Sequence, residues 1–450
     1  MIQRTGYLGR LAQLRENQQV KVLSGVRGCG KTTLLAMYID WLKRTGVDDQ
    51  QIIFVSMEDP ESETLPHYQG LYSHIKKRLR RDRLTYVFID EIQLCADYEK
   101  AIDGLLINRQ ADLYVSISNA CAFSNAPHTE IRVLPLSFAE RLIFSRVKIP
   151  GRAEELQAFS LPDRPGQAAA AQVPAQLAAQ TERRLPRQRA QMEKYLQREA
   201  FNEYLSFGGF PFAAALGGDA SLTRHYVDGI YSAILVKDVA RQAGINDIPL
   251  LALVAKVMGQ NAGRPLSSKK VGSAISAKGR KISCNTVETY MQALTTAFAF
   301  YHAERFDIKT GKRLKTLGKY YAADTGMLNL SLESPDLDGQ LENVVYLELL
   351  RRGFQVCVGK HDRDEVNFAA FGQPPASGAA HDNAQGNDGK TYFQVAPSVR
   401  DRAVLAGKLS PLERIRDNHP KYILSLDETP FRANYDGIVQ KNLVDWLLEK

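Results

Sequence analysis

The chain has 450 residues, 44% of them hydrophobic and 24% charged, with a formal net charge of +8. That length outgrows one hydrophobic core, so two to four domains are expected, and the positive balance mildly favours polyanion partners. The five cysteines, Cys29, Cys95, Cys121, Cys284 and Cys357, are scattered without CxxC spacing, and no run of about 18 apolar residues occurs; this argues against a disulfide framework, a zinc site, a signal peptide and a spanning helix. A soluble, cytoplasmic protein is the expectation.

From the amino end, VKVLSG reads as a short buried strand and TTLLAMYIDWLKRTG as a helix ending at Gly46. Between them, Gly25, Val26, Arg27, Gly28, Cys29, Gly30, Lys31 and Thr32 match G-x-x-x-x-G-K-[ST], with Thr33 following. Glycines at this spacing let backbone N–H groups curl around phosphate oxygens, with a helix dipole behind them. Lys31 would reach the β and γ phosphates, and Thr32 would ligate Mg²⁺ through its hydroxyl. A second strand, QIIFVSMED, and a basic helix around HYQGLYSHIKKRLRRDR come next.

TYVFIDEIQ then supplies an apolar strand that ends in Asp90 and Glu91. A dry strand with acid at its tip suits a second magnesium contact through Asp90, with Glu91 orienting and deprotonating a water. The strand ADLYVSISNA places Asn119, with Ser118, where a polar side chain can sense a γ-phosphate. The intervening strand and the added glutamate, Glu91, point to the AAA-like branch of phosphate-loop ATPases rather than to small GTPases.

GVRGCGKTTLL, FIDEIQ, SISNA, VLPLSFAE, YLSFGGFP and GIYSAILVKDV together resemble the prokaryotic AAA-type ATPases that carry a C-terminal domain of unknown function. KISCNTVETYMQAL, LENVVYLELLRRGFQV and NHPKYILSLDE resemble that C-terminal part. The resemblance implies an ATP-binding α/β core with a parallel sheet, a helical and winged-helix segment, and an α/β nuclease-like domain, with ATP and Mg²⁺ as ligands. The sequence departs from the family where SISN replaces Thr-Gly-Ser-Asn and where a following arginine is absent. Such an arginine neutralises transition-state charge, so its loss allows slow hydrolysis. Arg132 and Arg141 are the candidates to replace it.

The domain reading is 1–150 for the core, 151–192 for a low-complexity linker rich in Ala, Gln, Pro and Arg, 193–246 for a helical segment, 247–325 for a winged helix and 326–450 for the nuclease-like domain. In the winged segment, Asn285 is the expected cap of the third helix, with Glu288 as capping-box partner. Its face Val287, Tyr290, Leu294 and Phe298 is expected to be buried. Six basic residues and no acidic one lie between Arg264 and Lys281, and the hairpin adds Lys309, Lys312, Arg313, Lys315 and Lys319. Lys269, Lys270, Arg280, Lys281, Lys312 and Arg313 are the candidate nucleic-acid contacts. The alternative is a solvated face or a protein-contact module.

In the last domain, strands at FQVCVG, DEVNFAAF and KTYFQVA resemble the core of PD-(D/E)xK nucleases. The acidic and lysine positions of that motif are Asn367, Gln394 and Ala396 here. Neutral amides bind Mg²⁺ poorly, so the expectation is a fold without cleavage activity, with Glu365 a partial substitute. Two functional readings stand: an ATPase that couples nucleotide state to a partner-binding module, and an ATP-responsive DNA-binding regulator with negligible turnover. A protein partner or a second copy of the chain remains open.

Overall fold

The computed structural model describes residues 4–65, 67–80, 82–107, 110–120, 126–144, 186–216, 219–372, 389–428 and 433–449. Met1–Pro135, Lys237–Val239 and Thr296–Phe298 form one compact unit; Leu136–Val236, Ala240–Thr295 and Ala299–Lys450 form the other.

The first unit runs α1 (Thr5–Gln13), β1 (Val20–Ser24), α2 (Lys31–Arg44), β2 (Ile52–Ser56), α3 (Tyr68–Lys76), β3 (Thr85–Asp90), α4 (Tyr98–Ile107), β4 (Ala111–Ile117) and β5 (His128–Arg132). The strands form a sheet in the order β2-β3-β4-β1-β5 with every pairing parallel. The sequence accounts for that order. All residues of β1, β3 and β4 are buried, as central parallel strands covered on both faces require. β2 and β5 each expose part of their length, as edge strands do. Val87, Ile89, Leu113 and Val115 anchor one face against Leu71, Ile75, Ile102 and Leu105 from α3 and α4. Tyr38 from α2 packs on Phe88 and Tyr114 on the other face. The core is α/β with a parallel sheet, as its sequence pattern predicts.

In the second unit, α5 (Phe138–Phe144), α6 (Pro186–Phe207), α7 (Pro211–Ala215) and α8 (Ala220–Ala233) lead into a π-helical stretch, Ile234–Ala240, whose residues Lys237–Val239 belong to the first unit. α6 begins at Pro186, inside the stretch read as linker; the rest of that stretch, 151–185, lies outside the described residues. Then come α9 (Ile248–Gln260), α10 (Ser268–Ala277), α11 (Cys284–Thr296) and a hairpin of β6 (Phe300–Asp307) and β7 (Lys312–Ala322). Three helices and a hairpin is the element order read for 247–325. α11 starts one residue earlier than its expected cap. Ser283, not Asn285, caps it, its Oγ accepting from the Thr286 N–H at 3.1 Å. The hydroxyl wins because it stands three residues before an N–H that the helix leaves unpaired. Val287, Tyr290 and Leu294 are buried and Gln292 is exposed.

The chain continues through α12 (Thr325–Ser331), α13 (Leu337–Arg351), β8 (Gln355–His361), β9 (Asp364–Phe371), β10 (Lys390–Ala396), α14 (Arg402–Glu413), β11 (Lys421–Ser425), β12 (Asn434–Tyr435), β13 (Ile438–Asn442) and α15 (Leu443–Leu448). β6 through β13 make one eight-stranded sheet, ordered β12-β13-β11-β10-β9-β8-β6-β7. The hairpin is continuous with the last strands, because β6 pairs parallel with β8 from Arg305–Val358 to Asp307–Lys360.

α6 stops at Gly208, whose N–H bonds Tyr204 O at 2.9 Å and whose φ is +78°. A Cβ there would stand 1.8 Å from Asp324 Oδ1. Asp324 is buried and accepts from the N–H groups of Gly209, Gly326 and Met327. Burial outweighs these donors and pushes its carboxyl up to about 6. Gly208→Ala therefore meets both a backbone penalty and a clash, and should destabilise the protein by about 2 kcal/mol or more, read as a lower urea midpoint in circular dichroism. Because the folded-state pKa lies above the unfolded one, Asp324 contributes stability below about pH 4 that is lost as pH rises through about 6. The midpoint of Asp324→Asn should change less between pH 5 and pH 7 than that of the wild type.

Candidate functional site

The loop from Gly25 to Gly30 leaves the carboxyl end of β1 and enters α2. Gly30 sits at φ +102°, a conformation that a side chain would strain, and directs the chain into the helix. Among the described residues no side chain caps α2, so none of them places an acceptor at the positive end that faces the loop. Val26 and Cys29 are buried, Arg27, Gly28 and Gly30 are half-buried, and Thr32 and Thr33 are exposed at the first turn. Arg4, which sequence reasoning missed, braces the loop from behind. It is buried and donates to Cys29 O at 3.2 Å and to Leu134 O at 2.9 Å. An isolated arginine ahead of a helix carries no spacing signal that would have found it.

Lys31, buried, donates to Gly25 O at 2.9 Å and Ser118 Oγ at 2.9 Å, and stands 3.2 Å from Glu91 Oε1. Thr32 Oγ1 donates to Asp90 Oδ2 at 2.8 Å, and Ser116 donates to the other Asp90 oxygen. The acid pair at the tip of β3 thus meets the loop directly. Asp90 is a strand residue, whereas Glu91 turns sharply at φ +53°. Its N–H donates to Ser116 Oγ at 2.9 Å, and its carboxylate accepts from Ser118 at 2.8 Å and Gln93 at 2.5 Å. Burial alone would raise the Glu91 carboxyl; Lys31, the Ser118 and Gln93 hydrogen bonds and Arg27 together hold it below the usual range. Asn119 follows β4, nine-tenths and more buried, and its Oδ1 has no hydrogen-bond partner among the described residues.

Of the two arginines considered as replacements, Arg132 lies within 3.9 Å of Glu130 at half-exposure. Arg141 is buried in the second unit, donating to Gly208 O at 3.0 Å and lying 3.5 Å from Glu203.

Residues 17–142 match the AAA domain family, and residues 198–337 match a domain of unknown function. The AAA match spans the loop, the acid pair and Asn119, and it supports an ATP-binding, ATPase-type core. Over the whole chain, an uncharacterized protein of Haemophilus influenzae is 28% identical, covering 100% of this chain and 99% of its own. An uncharacterized protein of Methanocaldococcus jannaschii is 25% identical over 370 residues, covering 79% of this chain and 73% of its own. Among solved structures, the Walker-type ATPase PABY2304 of Pyrococcus abyssi is similar, with a TM-score of 0.45 and 10% identity, over 74% of this chain and 96% of that one.

Outside the AAA match, the candidate nucleic-acid residues divide. Lys269, Lys270, Lys281 and Lys312 are exposed. Arg280 is tied to Asp247 at 2.6 Å, and Arg313 lies 3.5 Å from Glu304 and donates to Gln355 at 2.9 Å. Lys309 is paired with Asp362 at 3.2 Å. Lys319, read as part of the basic hairpin face, is instead buried. The strand alternation turns it inward, where carboxylates compensate its charge.

Those carboxylates are Glu342 at 2.8 Å and Glu365 at 2.6 Å. Glu342 also accepts from Tyr321 at 2.7 Å and Asn367 at 2.6 Å. Gln394 Nε2 donates to Glu365 O at 3.1 Å, and Lys408 lies 3.3 Å from Asn367 Oδ1. The positions expected to hold magnesium in a nuclease are therefore brought together, but a divalent ion does not fit the donor set: an internal ammonium already lies between its two carboxylates, and both amides are engaged. The supercoiled-plasmid assay should accordingly show no nicking with Mg²⁺, and Glu365→Ala should leave that result unchanged.

Proposed function

We propose that the protein is a Mg·ATP-binding AAA-type ATPase in which the loop Gly25–Thr33 cradles the triphosphate, Glu91 acts on the attacking water and Asn119 senses the γ-phosphate. The observation that carries this reading is the direct bond from Thr32 to Asp90, beside the Lys31–Glu91 ion pair. Two elements 58 residues apart in sequence meet with the donors and acceptors this chemistry requires.

The residues present fit the expected metal. Thr32 and Asp90 offer two adjacent oxygens, the set that holds magnesium together with waters and phosphate. Bound magnesium would neutralise charge on the β and γ phosphates. Lys31 would exchange its carbonyl and Ser118 partners for phosphate oxygens, releasing Glu91 from the ammonium. The ionised Glu91 carboxylate, oriented by Ser118 and Gln93, would then accept a proton from water. The unpartnered Asn119 Oδ1 fits a role in placing that water or phosphate.

The second unit is the partner-binding module in this proposal, governed by nucleotide state. One observation favours DNA as the partner, and with it the alternative of an ATP-responsive regulator with negligible turnover: Lys269, Lys270, Lys281 and Lys312 are exposed.

Three measurements check these readings. Lys31→Ala should lose ATP affinity by about 100-fold in calorimetry, since it removes a charge contact to phosphate. Glu91→Gln should bind ATP within about threefold of wild type while phosphate release falls by about 10²–10⁴. On the DNA reading, a gel shift at about 50 mM salt weakens uniformly across sequences in a Lys269→Ala/Lys270→Ala variant, with a salt slope shallower by about 1–2. No shift at that salt removes the regulator reading.

A further inference from the structure

The loop itself carries an arginine. Arg27 stands two residues after Gly25, and its guanidinium is tied on two sides. Nε donates to Asp238 Oδ2 at 2.7 Å and Nη2 to Asp238 Oδ1 at 2.8 Å. Nη1 donates to Glu58 Oε1 at 2.6 Å. Asp238 comes from the π-helical stretch 234–240, a geometry that recurs at functional sites. Lys237–Val239 belongs to the same compact unit as the loop.

The two carboxylates are unequal. The Asp238 side chain is 2% exposed and makes a bidentate fork, so releasing it would strand a buried charge. The Glu58 side chain is 43% exposed and makes one contact, so water replaces it readily. The Nη1 edge of Arg27 is thus held by an acceptor that an incoming anion can displace.

We propose that Arg27 supplies the phosphate-neutralising arginine of this nucleotide site, that Asp238 is its positioning residue, and that Glu58 is the displaceable occupant of the edge that phosphate takes. This rests on the nucleotide-binding reading above. Glu58 competes with phosphate for one donor and adds negative charge at the loop, so it sets a ceiling on triphosphate affinity. Asp238 fixes the plane of the guanidinium, so its loss affects turnover more than binding. A lysine at position 27 restores the charge but cannot hold the fork to Asp238 and a second acceptor together.

The test uses the full chain and measures affinity for ATP and ADP, together with phosphate release. Glu58→Gln lies at an exposed position and should tighten ATP by about 3–10-fold, with a smaller gain for ADP. Asp238→Asn should lower kcat by about tenfold or more while KM stays within about threefold. Arg27→Ala should lower kcat further, and Arg27→Lys should not restore it. Should Asp238→Asn fail to fold, Glu58→Gln still decides. Wild type that binds ATP while Glu58→Gln leaves both affinities unchanged or weaker, or while Arg27→Ala turns over normally, overturns the assignment and spares the nucleotide-binding reading. Wild type with no ATP affinity overturns that reading itself.

Discussion

Parallel pairing of β1 with β4, and of β4 with β3, is the constraint on which the site depends. Strands that run the same way deliver their carboxyl ends to one edge of the sheet. Ser24 pairs with Ile117 and Ile89 with Val115, so the residues just beyond them are neighbours. The loop, the acid pair and the Ser118–Asn119 corner emerge side by side without any long-range searching by their own side chains. The apolar strands beneath keep water away from their bases. Short bonds such as Thr32–Asp90 are then a result of register rather than of local attraction.

Three buried lysines show how the same chemical problem receives different solutions. Lys21 lies within β1 and is neutralised by Asp112, which also accepts from Tyr114 at 2.7 Å. Asp112 also accepts from the Glu16 N–H at 3.0 Å, and none of these partners belongs to the loop, so the pair serves the fold. Lys31 is held by carbonyls, a hydroxyl and Glu91, all of them groups that phosphate can replace. Lys319 is enclosed by two glutamates beneath the larger sheet, and it takes the space a metal would need. Burial of an ammonium is costly in each case, and the identity of its partners decides whether it can move.

The core and its site were legible in the sequence because their signals are local. A glycine-lysine-threonine run between strand and helix, and an apolar strand ending in acid, need only a few residues to declare themselves. What escaped were contacts between distant segments. Nothing in AILVKDV says that Asp238 will grip an arginine 211 residues away. Nothing around Arg4 says that it will brace the loop. Lys319 read as a surface charge in a basic hairpin, because its inward direction depends on which strand pairs with β6. The cap of α11 lies two residues ahead of Asn285 because Ser283 and Asn285 both suit that role, and only the helix phase separates them.

The union of the β6–β7 hairpin with the later strands has a practical bearing on dissecting the molecule. β8 holds β6 on one side and β9 on the other. A chain cut between residues 325 and 326 would leave the carboxyl piece with an uncovered margin of β8, inviting self-association of the kind that sheet borders normally guard against. It would also remove Lys319 from Glu342 and Glu365, leaving two acidic groups in the interior without their cation. The natural partition of this half of the protein therefore runs around the sheet and not through the end of its hairpin.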